Sequence, residues 1–150
     1  MPETGAASND SERPSAERVA AAMFERDRAA QALGISIDEV RFGYARCGMS
    51  VTEDMLNGHD VCHGGYVFLL ADTAFAYACN ARDDVNVALT ATISYNAPAR
   101  AGDRLVAIAE ERAKANRTGT YDVTVSGESG TVYALFRGTS YQVSARVIRE

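Results

Sequence analysis

The chain has 150 residues, 47% of them hydrophobic, and a formal net charge of −5. That length suits one domain with its own core, and no basic stripe stands out of the kind a nucleic-acid partner would need. Its three cysteines, Cys47, Cys62 and Cys79, are too few and odd in number for a disulfide framework and read as reduced thiols of a cytoplasmic protein.

Residues 1–14, "MPETGAASNDSERP", lack the apolar core of a secretory signal, and their Ser, Glu, Asp and Pro content predicts a flexible lead-in to a single domain over residues 15–150. In "SAERVAAAMFERDRAAQALG", residues 15–34, Pro14 and Ser15 suit a helix start and Gly34 a stop. Val19, Met23, Ala30 and Leu33 approximate one apolar face, so one helix is expected. "ISIDEVRFGYARCGMSVT" predicts a strand through Ile35, Ile37, Val40, Phe42 and Tyr44, and a second from Cys47 to Val51. "EDMLNGHDVCH" reads as a loop or short turn.

"CHGGYVFLLADTAFAYACN", residues 62–80, reads as one apolar helix opened by two glycines, with the single carboxylate Asp72 near its middle. It is the longest apolar candidate, yet falls short of the roughly 18 uninterrupted apolar residues of a membrane span. Four strand-like segments follow. In "VALTATISYNAP", Val87, Leu89, Ala91, Ile93 and Tyr95 alternate with Ala88, Thr90, Thr92, Ser94 and Asn96. "DRLVAIAEERAKA", "GTYDVTVSGESG" and "TVYALFRGTSYQV" complete the set, separated by the turn signals "RAGD", "NRTG" and "GESG". The order helix, strands, buried helix, meander is that of an α+β fold with an antiparallel sheet. An almost wholly apolar helix must be wrapped, which a curved sheet does, and sheet edges then invite pairing with a second copy.

Asp72 is the only acidic residue between Val61 and Ala81. Burying an unpaired carboxylate costs several kcal/mol, or lifts its pKa. Two readings are open: a group tucked into a solvent-facing notch or bonded to Thr73 or a backbone amide, and an acid, base or nucleophile in an apolar cleft. His63, Gly64 and Gly65 sit at the helix start, where free amides and the positive dipole end converge. Glycine lets a ligand atom approach the backbone, so this turn is either a plain loop-to-helix junction or a place to polarise a carbonyl. Asp72 lies roughly 12 Å along the helix from Gly64, too far to act on a carbonyl held there by the same chain. A two-fold dimer with antiparallel central helices would bring each helix start to the other's carboxylate.

In "HDVCH", His59, Cys62 and His63, with Asp60 nearby, could ligate a metal, but no second cluster completes a zinc pattern, and none is expected. No GxxxxGK[ST], GxGxxG or GxSxG motif occurs, so neither a nucleotide cofactor nor a Ser–His–Asp hydrolase is indicated.

"HGGYVFLLADTAFAYACN" resembles the central-helix motif of the hotdog-fold acyl-CoA thioesterases of the phenylacetate-pathway (PaaI) type, and "ISYNAPARAGDRL", "RTGTYDVTV" and "ALFRGTSYQV" resemble that family's later strands. The likeness runs from about Ile35 to Val143. It implies a hotdog fold, an antiparallel sheet wrapped around the long helix. It also implies a homodimer with two shared sites, often doubled into a homotetramer; the short apolar run gives no reason to expect a membrane partner. The implied reaction is hydrolysis of aryl-acetyl-CoA or hydroxylated phenylacetyl-CoA to acid and free CoA. By position, Asp72 matches the catalytic carboxylate, as nucleophile or as base for a water. Gly64 matches the amide that polarises the carbonyl, Asn57 the side chain that places thioester or water, and His63 the residue that orients the glycine pair. For Asn57, a plain turn role in "LNG" is the competing reading. Arg117 and Thr118 match a CoA-contacting turn, with Arg100 and Arg137 as further basic candidates for its phosphates. The chain departs from some relatives in having Ala88 where they carry a polar residue. Two rivals share the fold: a non-catalytic acyl-CoA sensor, which has no use for Asp72 and Asn57, and a hydroxyacyl-thioester dehydratase, which would use His63 with a carboxylate across the interface.

Overall fold

The computed structural model of the chain describes residues 10–149. Residues 1–9 of the expected lead-in lie outside these; Asp10–Glu12 form one 3-10 turn, and Arg13 donates to the Asp84 carboxylate at 2.8 Å.

The single helix expected over residues 15–34 is two: α1 (Ala16–Phe24), capped by Ser15 Oγ, and α2 (Arg28–Ala32). The break falls at Asp27, whose carboxylate accepts the Ala30 N–H at 3.1 Å and the buried Tyr77 hydroxyl at 3.2 Å. Aspartate is a poor mid-helix residue and a strong N-cap, and here the long-range bond to Tyr77 holds it in that second role. Strands β1 (Ser36–Arg41) and β2 (Tyr44–Ser50) form a hairpin with Arg41 opposite Tyr44. Tyr44 therefore opens the second strand instead of closing the first. The two-residue turn needs positive φ, which Gly43 supplies at +76°.

After α3 (Gly64–Asn80) come β3 (Asp84–Tyr95), β4 (Arg104–Ala115), β5 (Thr118–Gly127) and β6 (Val132–Arg146). The six strands make one antiparallel sheet in the order β1-β2-β4-β5-β6-β3. One face wraps α3. Alternate residues Leu105, Ala107 and Ala109 of β4, Tyr121, Val123 and Val125 of β5, and Ala134 and Phe136 of β6 are buried against Leu70, Ala74, Phe75 and Ala78 of the helix. No described helix is long and apolar enough to cross a membrane.

The helix lies close to the sheet where side chains are smallest. A Cβ added to Gly138 would stand 2.9 Å from Phe75 Cε1, Cε2 and Cζ. That ring is held by Tyr121 and Phe136, with centroids 5.5 and 5.8 Å away, and cannot yield cheaply. Gly138→Ala is expected to destabilise the fold by about 1–3 kcal/mol through overpacking, read as a lowered urea midpoint at unchanged slope.

The link from α3 to β3 is a reciprocal asparagine clamp. Asn80 Oδ1 accepts the Asn86 N–H at 2.8 Å, and Asn86 Nδ2 donates to the Cys79 carbonyl at 2.8 Å. β3 then runs along the outer edge, paired only with β6. Its apolar alternation is interrupted by a bulge between Ala88 and Thr90. By register, Ala88 and Ala91 share the sheet face of their partners Ser140 and Gly138, whereas Val87, opposite Tyr141, lies on the other face. The extra residue reverses which set points inward, and leaves Val87 at 48% and Leu89 at 56% exposure.

Candidate active site

The loop before α3 is stitched by short backbone bonds. The Cys62 N–H donates to Ala99 O at 2.7 Å and the His63 N–H to Met55 O at 2.8 Å. Asn57 Oδ1 accepts the amides of His59 at 2.9 Å and Val61 at 3.4 Å. The side chain thus does hold the turn, while its NH2 end has no partner among the described residues and remains available to a ligand.

His63 is the N-cap of α3, its Nδ1 accepting the Gly65 N–H at 3.1 Å. A neutral imidazole bonded this way carries its proton on Nε2. The preceding amide, the Gly64 N–H, has no acceptor among the described residues. It projects from the positive end of a 17-residue helix, a ready donor for a carbonyl oxygen or oxyanion. The Gly64 carbonyl accepts the Tyr95 hydroxyl at 2.9 Å.

Asp72 occupies the least buried stripe of α3, in line with Gly65, Leu69 and Ala76, none of which is fully buried. Its carboxylate makes no hydrogen bond or ion pair among the described residues. Burial raises its pKa above the ordinary value of 3.8, because desolvation disfavours the charged form. Ionised, it is a stronger base and a less hydrated nucleophile than a surface aspartate. A bond to Thr73 is not its anchor, since Thr73 Oγ1 donates instead to Leu69 O at 2.7 Å.

His63 and Gly64 therefore sit together at the helix start, and Asn57 stands at the turn of the loop that leads into it. Asp72 stands about 12 Å farther along α3 and is not brought to them within the chain. Arg117 lies exposed in the β4–β5 turn and Thr118 exposed at the first residue of β5, where Arg117 donates to Gln142 O at 3.2 Å and Thr118 Oγ1 to Ala115 O at 3.2 Å. Through Tyr141, Thr118 is in register with Val87 near the start of β3, whereas Gly64 abuts Tyr95 at its end. Those two places are about 27 Å apart at the strand rise. Arg137 is bound to Asp122 on the outer sheet face at 2.6 and 2.9 Å, and Arg100 is exposed in the turn after Ala99.

Two features beside the helix start escaped the sequence. A cavity of about 430 Å³ is lined by Val61, Gly64, Val67, Tyr95, Pro98 and Tyr133. Tyr95 crosses from the edge strand to the helix turn. "YNAP" marks a strand end, but nothing in it says what the ring will touch. A larger cleft, about 620 Å³, lies between α1 and β1 and contains none of the candidate residues, so size is the poorer guide here. Among the described residues, no three His, Cys, Asp or Glu side chains converge on a metal site. All three thiols are buried and unpaired, and burial pushes Cys47 and Cys79 up to about 12, unsuited to nucleophilic work.

Residues 59–134 match the family model described as thioesterase superfamily. Acyl-coenzyme A thioesterase PaaI of Escherichia coli K12 is 46% identical over 129 residues, which span 86% of this chain and 92% of that protein. The structure of E. coli PaaI, from the phenylacetic acid degradation operon, superposes with a TM-score of 0.86, covering 87% of this chain and 95% of that one. A mutant of the phenylacetic acid degradation protein PaaI from Thermus thermophilus is 39% identical, with a TM-score of 0.75 over 78% of this chain and all of that one, a coverage of 100%.

Proposed function

The chain belongs to the thioesterase superfamily and has its hotdog fold, and from that premise we propose that it hydrolyses aryl-acetyl-CoA thioesters to the acid and free CoA in the cytoplasm. The observation that carries the mechanism is the unpaired, half-buried Asp72 on the least buried stripe of α3. Two copies pair through β3, the edge with open backbone groups and with Val87, Leu89 and Tyr95 exposed on it. The paired α3 helices run antiparallel, so that the thioester carbonyl on one subunit's Gly64 meets the partner's Asp72.

The Gly64 N–H takes the carbonyl oxygen and stabilises the charge that develops there. Asn57 offers its free NH2 to the thioester or the water. Asp72 either attacks the carbonyl carbon, breaking the C–S bond and forming an acyl-aspartyl anhydride that water then cleaves to the acid, or removes a proton from a water that attacks directly; in both routes the CoA thiolate leaves and takes up a proton. His63 caps the helix through Nδ1, a role in holding the turn that suits hydrolysis better than proton transfer to a hydroxyacyl chain. Antiparallel pairing of β3 also carries the partner's Arg117 and Thr118 toward the Tyr95 end, where they suit the nucleotide phosphates of CoA.

Release of free CoA from the purified chain, followed with a thiol reagent, tests this. Phenylacetyl-CoA and hydroxyphenylacetyl-CoA are expected to turn over fastest, ahead of short aliphatic acyl-CoAs. Tight binding of acyl-CoA without thiol release, or an enoyl product in its place, would overturn the assignment. Light scattering should give a mass of two or four chains.

A further inference from the structure

Tyr95 has no part in the chemistry above, yet its hydroxyl is bonded to the turn that supplies the carbonyl's donor. It donates to Gly64 O at 2.9 Å. That carbonyl belongs to the same peptide unit as the Gly65 N–H, which donates to His63 Nδ1 at 3.1 Å. One peptide plane is gripped from opposite sides, by a strand residue and by the helix cap. The preceding peptide unit carries the free Gly64 N–H.

Two consecutive glycines would otherwise leave this turn free to swivel, since glycine has the widest backbone freedom of any residue. An oxyanion donor works only if it is held in place before charge develops. The ring tip lies against the bare glycine backbone: a Cβ on Gly64 would stand 2.9 Å from Tyr95 Cζ and 3.0 Å from its Oη. The ring also lines the cavity beside the turn.

We propose that Tyr95 is a positioning residue for the reaction, its hydroxyl acting with His63 to pin the Gly64–Gly65 peptide so that the Gly64 N–H stays aimed at the thioester oxygen. This rests on the reading of Gly64 as the carbonyl's donor. It also ties the donor's aim to β3, the strand through which the subunits pair.

Tyr95→Phe removes one oxygen and keeps the ring. The expected result is a kcat lower by about tenfold, less than the 10²–10³ lost when such a donor is deleted outright, with KM and melting temperature nearly unchanged. The Gly65 amide resonance should shift, because its peptide loses the bond at the carbonyl. Asp72→Asn is assayed in parallel. If it is inactive while Tyr95→Phe keeps the parent kcat, the pinning role is wrong and the site stands. If Asp72→Asn hydrolyses normally, the site itself is wrong and the pinning role falls with it. A Tyr95→Phe protein whose KM rises and melting temperature drops as much as its kcat falls has merely been loosened, which also overturns the proposal.

Discussion

Asp72→Asn is expected to lower thioester hydrolysis by about 10³-fold, within the range that a positioned acid–base group contributes, without loss of fold or dimer. The amide is isosteric, so packing on the α3 stripe is kept while the charge and basicity go. Stability should move the other way. The carboxyl pKa is raised in the folded state, so the native protein holds this proton to higher pH than the unfolded chain does. The group's contribution to stability is therefore full at low pH and is lost as pH rises from its unfolded value through its folded one. At neutral pH the Asn variant should melt above the parent, and the gap should close on acidification through that window. The parent's rate should fall through the same window, as the required carboxylate becomes protonated. Equal melting curves at every pH, or an acid limb no higher than an exposed aspartate's, would contradict the burial argument.

A complementation experiment sharpens this expectation. Gly64→Pro deletes the donor proton at the first helical position, where proline is tolerated, with the exposed tip of Tyr95 shifting to make room. Each variant alone should be inactive. Reassembled from an equal mixture, half the dimers are mixed, and each mixed dimer has one site with both parent groups, so about a quarter of the parent activity should return. No recovery would place both groups on one chain.

Val87→Arg combined with Leu89→Arg is expected to convert the dimer to a monomer and to abolish hydrolysis. These side chains are 48% and 56% exposed on an edge strand, so a soluble folded chain should tolerate the change. Pairing across a two-fold axis would instead bring like charges together along the joined edges, and charged residues are a standard means of blocking edge association. Activity should fall with the fraction of dimer at a given concentration, because in the proposed shared site each half needs the other. Sedimentation and thiol release measured on the same samples check it; a monomer that still releases CoA would refute shared sites.

How far the residues alone foretell this arrangement differs from place to place. The wrapped helix and its meander follow from composition, since a stretch as apolar as residues 64–80 has nowhere else to go. Asp72 and the glycine pair stand out because each breaks a local rule, a charge in an apolar run and two flexible residues at a helix start. What stays hidden depends on distant partners. Asp27 ends a helix partly because Tyr77 reaches it, and Val87 faces outward because of the bulge between Ala88 and Thr90. Tyr95 reads as an ordinary strand aromatic until β3 is seen to end beside Gly64. Each is a contact between segments far apart in the chain, or a register shift, and neither is written in local periodicity.

The two margins of the sheet are unequal. β3 is long and bare, whereas β1 is six residues with α1 packed along it. In the proposed dimer, joining two copies through β3 would use up the open margin of both and leave a helix-guarded strand at each end. Growth would then have no further template, so such an assembly would close at a finite size instead of lengthening into fibres.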